Sequence, residues 1–254
     1  MDRRSGDRRG RDYAPRMLGP LLELAGVATD LDQAREAVDS ALRHRALRRS
    51  GGAVAAEVNL RSAVASAALE GHGYDREDVR AGFVTDPVVQ GALRTAAALA
   101  GLVDVWSAAP RQALARLHVL AARDVVDEAS LGRPVAGVAR LDTLLETAVP
   151  SDVPALLRAA VVHGELLAVR PFAGPNGVVA RAAARLVLMA GGLDPRGLLA
   201  VEVGHLAREP EYVGASGAFA TGTPDGLRAW LRHHAAAVRL AAAELEAVCD
   251  EVTR

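Results

Sequence analysis

Val169-Arg170-Pro171-Phe172-Ala173-Gly174-Pro175-Asn176-Gly177-Val178-Val179-Ala180-Arg181 is the stretch on which the reading of this chain turns. A residue before proline is pushed out of the α region, so Arg170-Pro171 predicts the end of a helix. A short loop carrying Phe172 follows. Asn176 is a good N-cap, so a second helix is expected to start there. The unit is therefore helix, tight loop, helix, with the second N-terminus open. Such a start carries about half a positive charge and free N–H groups, which outlines an anion site. Arg170 and Arg181 flank it in sequence. The plainer alternative is an ordinary helix–loop–helix turn with structural Gly and Pro.

Outward from this junction the same grammar repeats. Apolar residues at helical spacing predict helices over 31–49, 53–69, 87–101, 110–128, 141–148, 153–169 and 176–190, then 196–207, 209–220 and 224–252. Ser50-Gly51-Gly52, Glu70-Gly71-His72-Gly73 and Gly191-Gly192 punctuate them. Asp86-Pro87, Ser151-Asp152 and Thr223-Pro224 read as helix starts. The composition agrees. Half of the 254 residues are hydrophobic, only 3% are aromatic, and neither Lys nor Ile occurs. Abundant Ala and Leu favour helix, and strand-favouring residues are scarce, so an all-α fold is expected.

Composition also excludes function classes. One Cys, Cys249, rules out an internal disulfide framework and a Cys-based zinc site. A formal charge of −1 gives no bulk attraction to nucleic acid or anionic lipid. Arginine richness without lysine follows from a GC-rich coding bias and is weak evidence for phosphate recognition. The first 16 residues read as a disordered tail without the apolar core of an export signal, and Asp2, Asp7 and Asp12 interrupt their arginines. No membrane span is expected; the longest apolar candidate, Val153 to Val169, is broken by Arg158, His163 and Glu165. The expectation is a cytoplasmic protein with no nucleic-acid partner.

The junction resembles the signature loop of the Fic (Fido-domain) family, H-P-F-x-[D/E]-G-N-G-R-x-x-R. Here it reads R-P-F-A-G-P-N-G-V-V-A-R, and Pro171, Phe172, Asn176, Gly177 and Arg181 match. His163 matches a His common in the family's preceding helix. Glu211-Tyr212 and the long last helix resemble its C-terminal half. Ser66-Ala67-Ala68-Leu69-Glu70-Gly71 is similar to the family's inhibitory motif, [S/T]-x-x-x-E-[G/N], placed upstream of the core.

The resemblance implies a Fic-like helical bundle, with 17–105 as an N-terminal region bearing the inhibitory-type helix and 106–254 as the core. It also leaves room for one short β-hairpin flap near Leu131 to Leu141. It further implies AMP transfer from ATP to a protein hydroxyl. In that chemistry the motif His is the base, the acid holds Mg²⁺, and the two arginines clamp phosphates.

This sequence departs from the pattern four times. Arg170 replaces the His, and a guanidinium stays protonated. Gly174 replaces the acid, which disfavours Mg²⁺. Pro175 removes one backbone N–H from the cradle. Val178 replaces the first clamping Arg. The expectation is lost or strongly reduced catalysis, with a nucleotide- or phosphate-binding or regulatory role retained at Arg170, Asn176, Gly177 and Arg181. ATP or another nucleotide is the implied ligand, and a protein the implied partner. Ser66, Glu70 and Gly71 would be inhibitory, with Glu70 reaching Arg181. Altered phosphate-transfer chemistry on the same fold, or a purely structural helical partner, are the alternatives.

No catalytic or metal constellation is expected elsewhere. His163 reads as a core or helix-face residue, and His118 and His205 as isolated. His233 and His234 are neighbours pointing roughly 100° apart, not an i, i+4 metal pair.

Overall fold

The computed structural model describes residues 18–148 and 153–254. The expected tail and the Ser151-Asp152 cap lie outside them. Among the described residues twelve α-helices follow one another: α1 Val27–Ala41, α2 Gly51–Ala68, α3 Arg76–Arg80, α4 Pro87–Ala98, α5 Val103–Ala108, α6 Pro110–Ala122, α7 Val138–Ala148, α8 Ala155–Val169, α9 Asn176–Ala190, α10 Val201–Leu206, α11 Glu209–Ala220 and α12 Pro224–Val252. Short 3₁₀ turns interleave with them. Among the described residues there is no strand.

The caps behave as their chemistry demands. Asp86 Oδ1 accepts from the N–H groups of Val88 (2.9 Å) and Val89 (3.1 Å), and the Thr223 hydroxyl accepts from Gly226 N–H (3.2 Å). Asp75 does the same for α3, a helix the periodicity misses because it is barely one turn long. Other boundaries differ from expectation. The first helix starts earlier, at Val27, and stops at Ala41, where a 3₁₀ turn over Arg45–Arg48 takes over. The helix from Pro110 ends at Ala122, not Glu128. Only Val201–Leu206 of the expected 196–207 helix forms, because the Asp194 carboxylate accepts the N–H groups of Leu198 (2.8 Å) and Leu199 (2.9 Å) and holds that chain extended.

The central element is α9. Every residue from Asn176 to Met189 is buried. Ala180, Ala182, Ala183 and Ala184 let neighbouring helices approach closely, and α9 packs against α2, α4, α5, α6, α8 and α10. The long α12 closes the bundle over α1, α10 and α11. One hydrophobic cluster runs through the whole fold, from Val54 and Val58 on α2 to Leu245 and Val248 on α12. A fully buried Leu such as Leu157, Leu186 or Leu245 contributes about 1.5–3 kcal/mol of transfer free energy.

The apolar stretch of greatest length is not Val153–Val169 but Pro87–Ala108, 22 residues long and apolar enough to cross a membrane by length and composition. In the fold it is divided into α4, a 3₁₀ turn and α5, and it buries Trp106 in the core.

The expected β-hairpin flap is also absent among the described residues. Residues 131–137 run as an irregular segment into α7, with Val135 N–H donating to Pro171 O (2.7 Å). Gly132, Pro134 and Gly137 break strand periodicity there.

Candidate functional site

The loop between α8 and α9 is built by its own side chains. Arg170 caps α8 in the left-handed region (φ 46°), the one non-glycine residue with positive φ among the described residues. Phe172 turns inward, where the His118 ring stacks on it at 4.6 Å. The same imidazole accepts Gly132 N–H at Nδ1 (2.9 Å) and donates from Nε2 to Ala173 O (2.8 Å). His118 is thus a brace joining the loop to the 131–137 segment, not an isolated residue. Burial lowers its pKa, against the Ala173 carbonyl, which raises it.

Asn176 does not cap α9. Pro175 occupies the cap position and Asn176 is already inside the helix. Its side chain folds back, accepting Phe172 N–H (3.0 Å) and donating to Phe172 O (2.6 Å) and Gly174 O (3.2 Å). The amide is spent on holding the loop, because Pro175 offers no N–H and the loop must be closed by a side chain. Beyond it, no loop carbonyl accepts from the amides of Gly177 or Val178.

Against Gly177 lies Glu70. A Cβ on Gly177 would lie 1.9 Å from Glu70 Oε1, so only glycine admits the carboxylate at this helix start. Glu70 sits just past the end of α2 and accepts from Arg181 Nη2 (2.9 Å). Ser66 supplies two more acceptors to the same guanidinium, its hydroxyl to Nε (3.0 Å) and its carbonyl to Nη2 (2.8 Å). Arg181 Nη1 donates to the Tyr212 hydroxyl (3.1 Å). Burial opposes the Arg181 charge, but Tyr212 and Glu70 outweigh it and raise its pKa. Gly71 follows with φ 88°, a left-handed turn that ends α2 and is cheap only for glycine.

Ser66, Glu70, Gly177 and Arg181 are therefore brought together at the start of α9. Arg170 stands apart. Its side chain is exposed, with no hydrogen bond or ion pair to any described residue, and only its backbone N–H is engaged, donating to Leu166 O (3.0 Å).

Two of the departures are built into the packing. Gly174 has φ 74°, and a Cβ there would meet Val126 Cγ1 at 2.8 Å. Val178 is 2% exposed, inside the core and not on the rim. The residues present do not suit Mg²⁺, since no carboxylate stands at position 174 and the backbone there resists one. Two hollows border the loop, one of about 600 Å³ beside Ala173, Val126 and Ser130 and one of about 260 Å³ beside Phe172, Gln112 and Pro134. Neither is lined by Arg170, Gly177 or Arg181.

One turn along α9 the pattern repeats. Arg185 donates to the Ser62 hydroxyl (2.9 Å) and to Gly197 O (2.9 Å), while Ser62 donates to Glu202 (2.8 Å). Ser62 with Arg185, Ser66 with Arg181 and Glu70 with Gly177 step four residues apart in opposite directions along antiparallel α2 and α9. The i, i+4 rows Ser62/Ser66/Glu70 and Gly177/Arg181/Arg185 are visible in the sequence once α2 and α9 are paired.

The histidines are the larger omission. His163, His205, His233 and His234 converge behind Tyr212 and Trp230, all at 0–1% exposure. They come from α8, α10 and α12, so no sequence spacing announces them.

No known family model matches the sequence, and no curated protein matches it. Solved structures do. A Fic family protein from Desulfovibrio desulfuricans G20 superposes with a TM-score of 0.59 at 21% identity, covering 96% of this chain and 76% of that one. A fragment of Fic-1 from C. elegans gives a TM-score of 0.67 at 20% identity, covering 90% and 73%. A point variant of that fragment gives 0.65 at 19%, covering 91% and 74%. At this identity the likeness concerns architecture, and the architecture of this chain is the all-helical Fic-like fold.

Proposed function

We propose that this protein is a Fic-fold module that has lost AMP transfer and keeps a Glu70-latched site for a phosphate-bearing ligand. The observation that carries this reading is the ion pair between Arg181 and Glu70 at the start of α9. The carboxylate pairs with a guanidinium beside a helix start, a setting that suits a phosphate equally well. Loss of transfer rests on the positions around it. Arg170 cannot accept a proton, and losing a positioned base costs about 10²–10⁴ in rate. Gly174 offers no ligand to a hard cation.

The test uses the protein and a Glu70→Gly variant. Both are incubated with labelled ATP and Mg²⁺ in the presence of cell extract, and both are titrated calorimetrically with ATP, ADP and AMP. No label is transferred, and the variant binds at least one nucleotide about tenfold more tightly than the native chain, because Arg181 no longer has to be released. Label on the protein or on a target would overturn the lost transfer. No binding by either form would overturn the retained site.

A further inference from the structure

We propose that His163, His205 and His234 hold a transition-metal dication, for which Zn²⁺ is the best match, as a structural centre buried between α8, α10 and α12. One ring nitrogen from each of the three lies within 4.8 Å of the others, and all three rings are buried. The hydrogen-bond accounting selects the atoms. His163 Nδ1, His205 Nε2 and both nitrogens of His234 find no partner in the fold. Buried polar atoms are ordinarily satisfied, so a pocket where several orphaned nitrogens converge wants an occupant.

The other nitrogens are fixed in the way metal-bound imidazoles are. His163 Nε2 is 3.0 Å from the Tyr212 hydroxyl, and His205 Nδ1 is 3.0 Å from His233 Nε2. His233 Nδ1 in turn faces the Glu211 carboxylate at 3.9 Å. With the hydrogen on His163 Nε2 given to Tyr212, and that on His205 Nδ1 given to His233, lone pairs remain on the unpartnered His163 Nδ1 and His205 Nε2. Such outer partners orient the rings and raise their basicity as ligands.

Neutral imidazoles without thiolates or carboxylates suit Zn²⁺, Cu²⁺ or Ni²⁺ and not Mg²⁺ or Ca²⁺. A tetrahedral zinc with Zn–N of about 2.0–2.1 Å sets its nitrogens roughly 3.4 Å apart, so the rings close on it by about an ångström. The fourth position takes a small ligand such as hydroxide. Because the chamber is closed, the ion enters as the chain folds, and its binding adds to folding stability.

The experiment uses the full chain, purified without a histidine tag. The protein is unfolded, stripped with a chelator and refolded with or without Zn²⁺. Expected are about one zinc per chain by mass spectrometry, a Tm several degrees higher than the chelated form, and visible tetrahedral bands when Co²⁺ replaces Zn²⁺. His234→Ala and His205→Ala lose the bands and the stoichiometry, whereas His72→Ala, outside the cluster, keeps both. Should the ring variants fail to fold, the native chain decides alone. A cooperatively melting native protein that takes up no zinc, shows no cobalt bands and no Tm shift overturns the proposal. So does metal uptake that survives His234→Ala and His205→Ala.

Discussion

Two arginines one turn apart on α9 do opposite things. Arg185 is sealed. It is 2% exposed, and its carboxylate neighbour, Glu202 (3.9 Å), is 4% exposed, with Ser62 bridging the two. Arg181 is equally buried, but its carboxylate partner, Glu70, is 21% exposed at the end of α2. Water can replace protein around Glu70 and cannot around Glu202. The same pairing chemistry therefore makes an anchor at one level and a releasable contact at the next. Burial of the acid, not of the arginine, separates them.

The largest expected effect breaks the anchor. Arg185→Ala leaves Glu202 buried without its cation and costs about 3–5 kcal/mol in denaturant unfolding. Arg181→Ala costs less, about 1–3 kcal/mol, since Glu70 rehydrates. Equal losses would erase the distinction.

Acid probes a carboxylate of intermediate exposure, Glu57 on α2, which is 11% exposed. Burial alone would raise its pKa. Hydrogen bonds from Arg80 and Arg61, helped by their charges, outweigh that and hold it at about 2. The folded value lies below the unfolded value of about 4.3, so its stabilisation is complete above that pH and is lost as pH falls towards 2. The contribution is on the order of 3 kcal/mol. Melting temperature should fall across this window, and Glu57→Gln should flatten part of the slope.

Serine variants sharpen the comparison further. Ser62→Ala strands Arg185 and Glu202 together and costs about 1–3 kcal/mol, while Ser66→Ala costs about 0.5–1.5 kcal/mol because the Ser66 carbonyl still holds Arg181. The smallest effect is Glu70→Gln, within about 1 kcal/mol of the native chain by urea unfolding. That variant separates stability from occupancy of the α9 start, for it keeps the shape and removes the charge.

Much of this was legible before any coordinates. Helix starts at Asp86 and Thr223 follow from side-chain oxygens placed before Pro, and the 170–181 loop from an X-Pro stop followed by Asn-Gly. The meeting of Glu70 with Arg181 followed from the resemblance. Residues acting across helices were not legible. Asn176 reads as a cap because Asn usually is one, yet Pro175 takes the cap and leaves the amide free to close the loop. His118 braces that loop from α6, and the four-histidine chamber draws on α8, α10 and α12. Such groupings depend on how helices pack, which local periodicity does not encode. Gly174 shows the converse. It reads as a lost acid, whereas the backbone at φ 74° with Val126 beneath it leaves no room for one.

Tyr212 has one phenolic oxygen and two neighbours. Arg181 approaches from the α9 side at 3.1 Å and His163 from the chamber side at 3.0 Å. Whatever draws the guanidinium away changes the proton balance at the imidazole, and filling the chamber changes what the guanidinium meets. Thermodynamic reciprocity makes these two influences equal in magnitude. A Tyr212→Phe chain would keep both ends and cut the conversation between them.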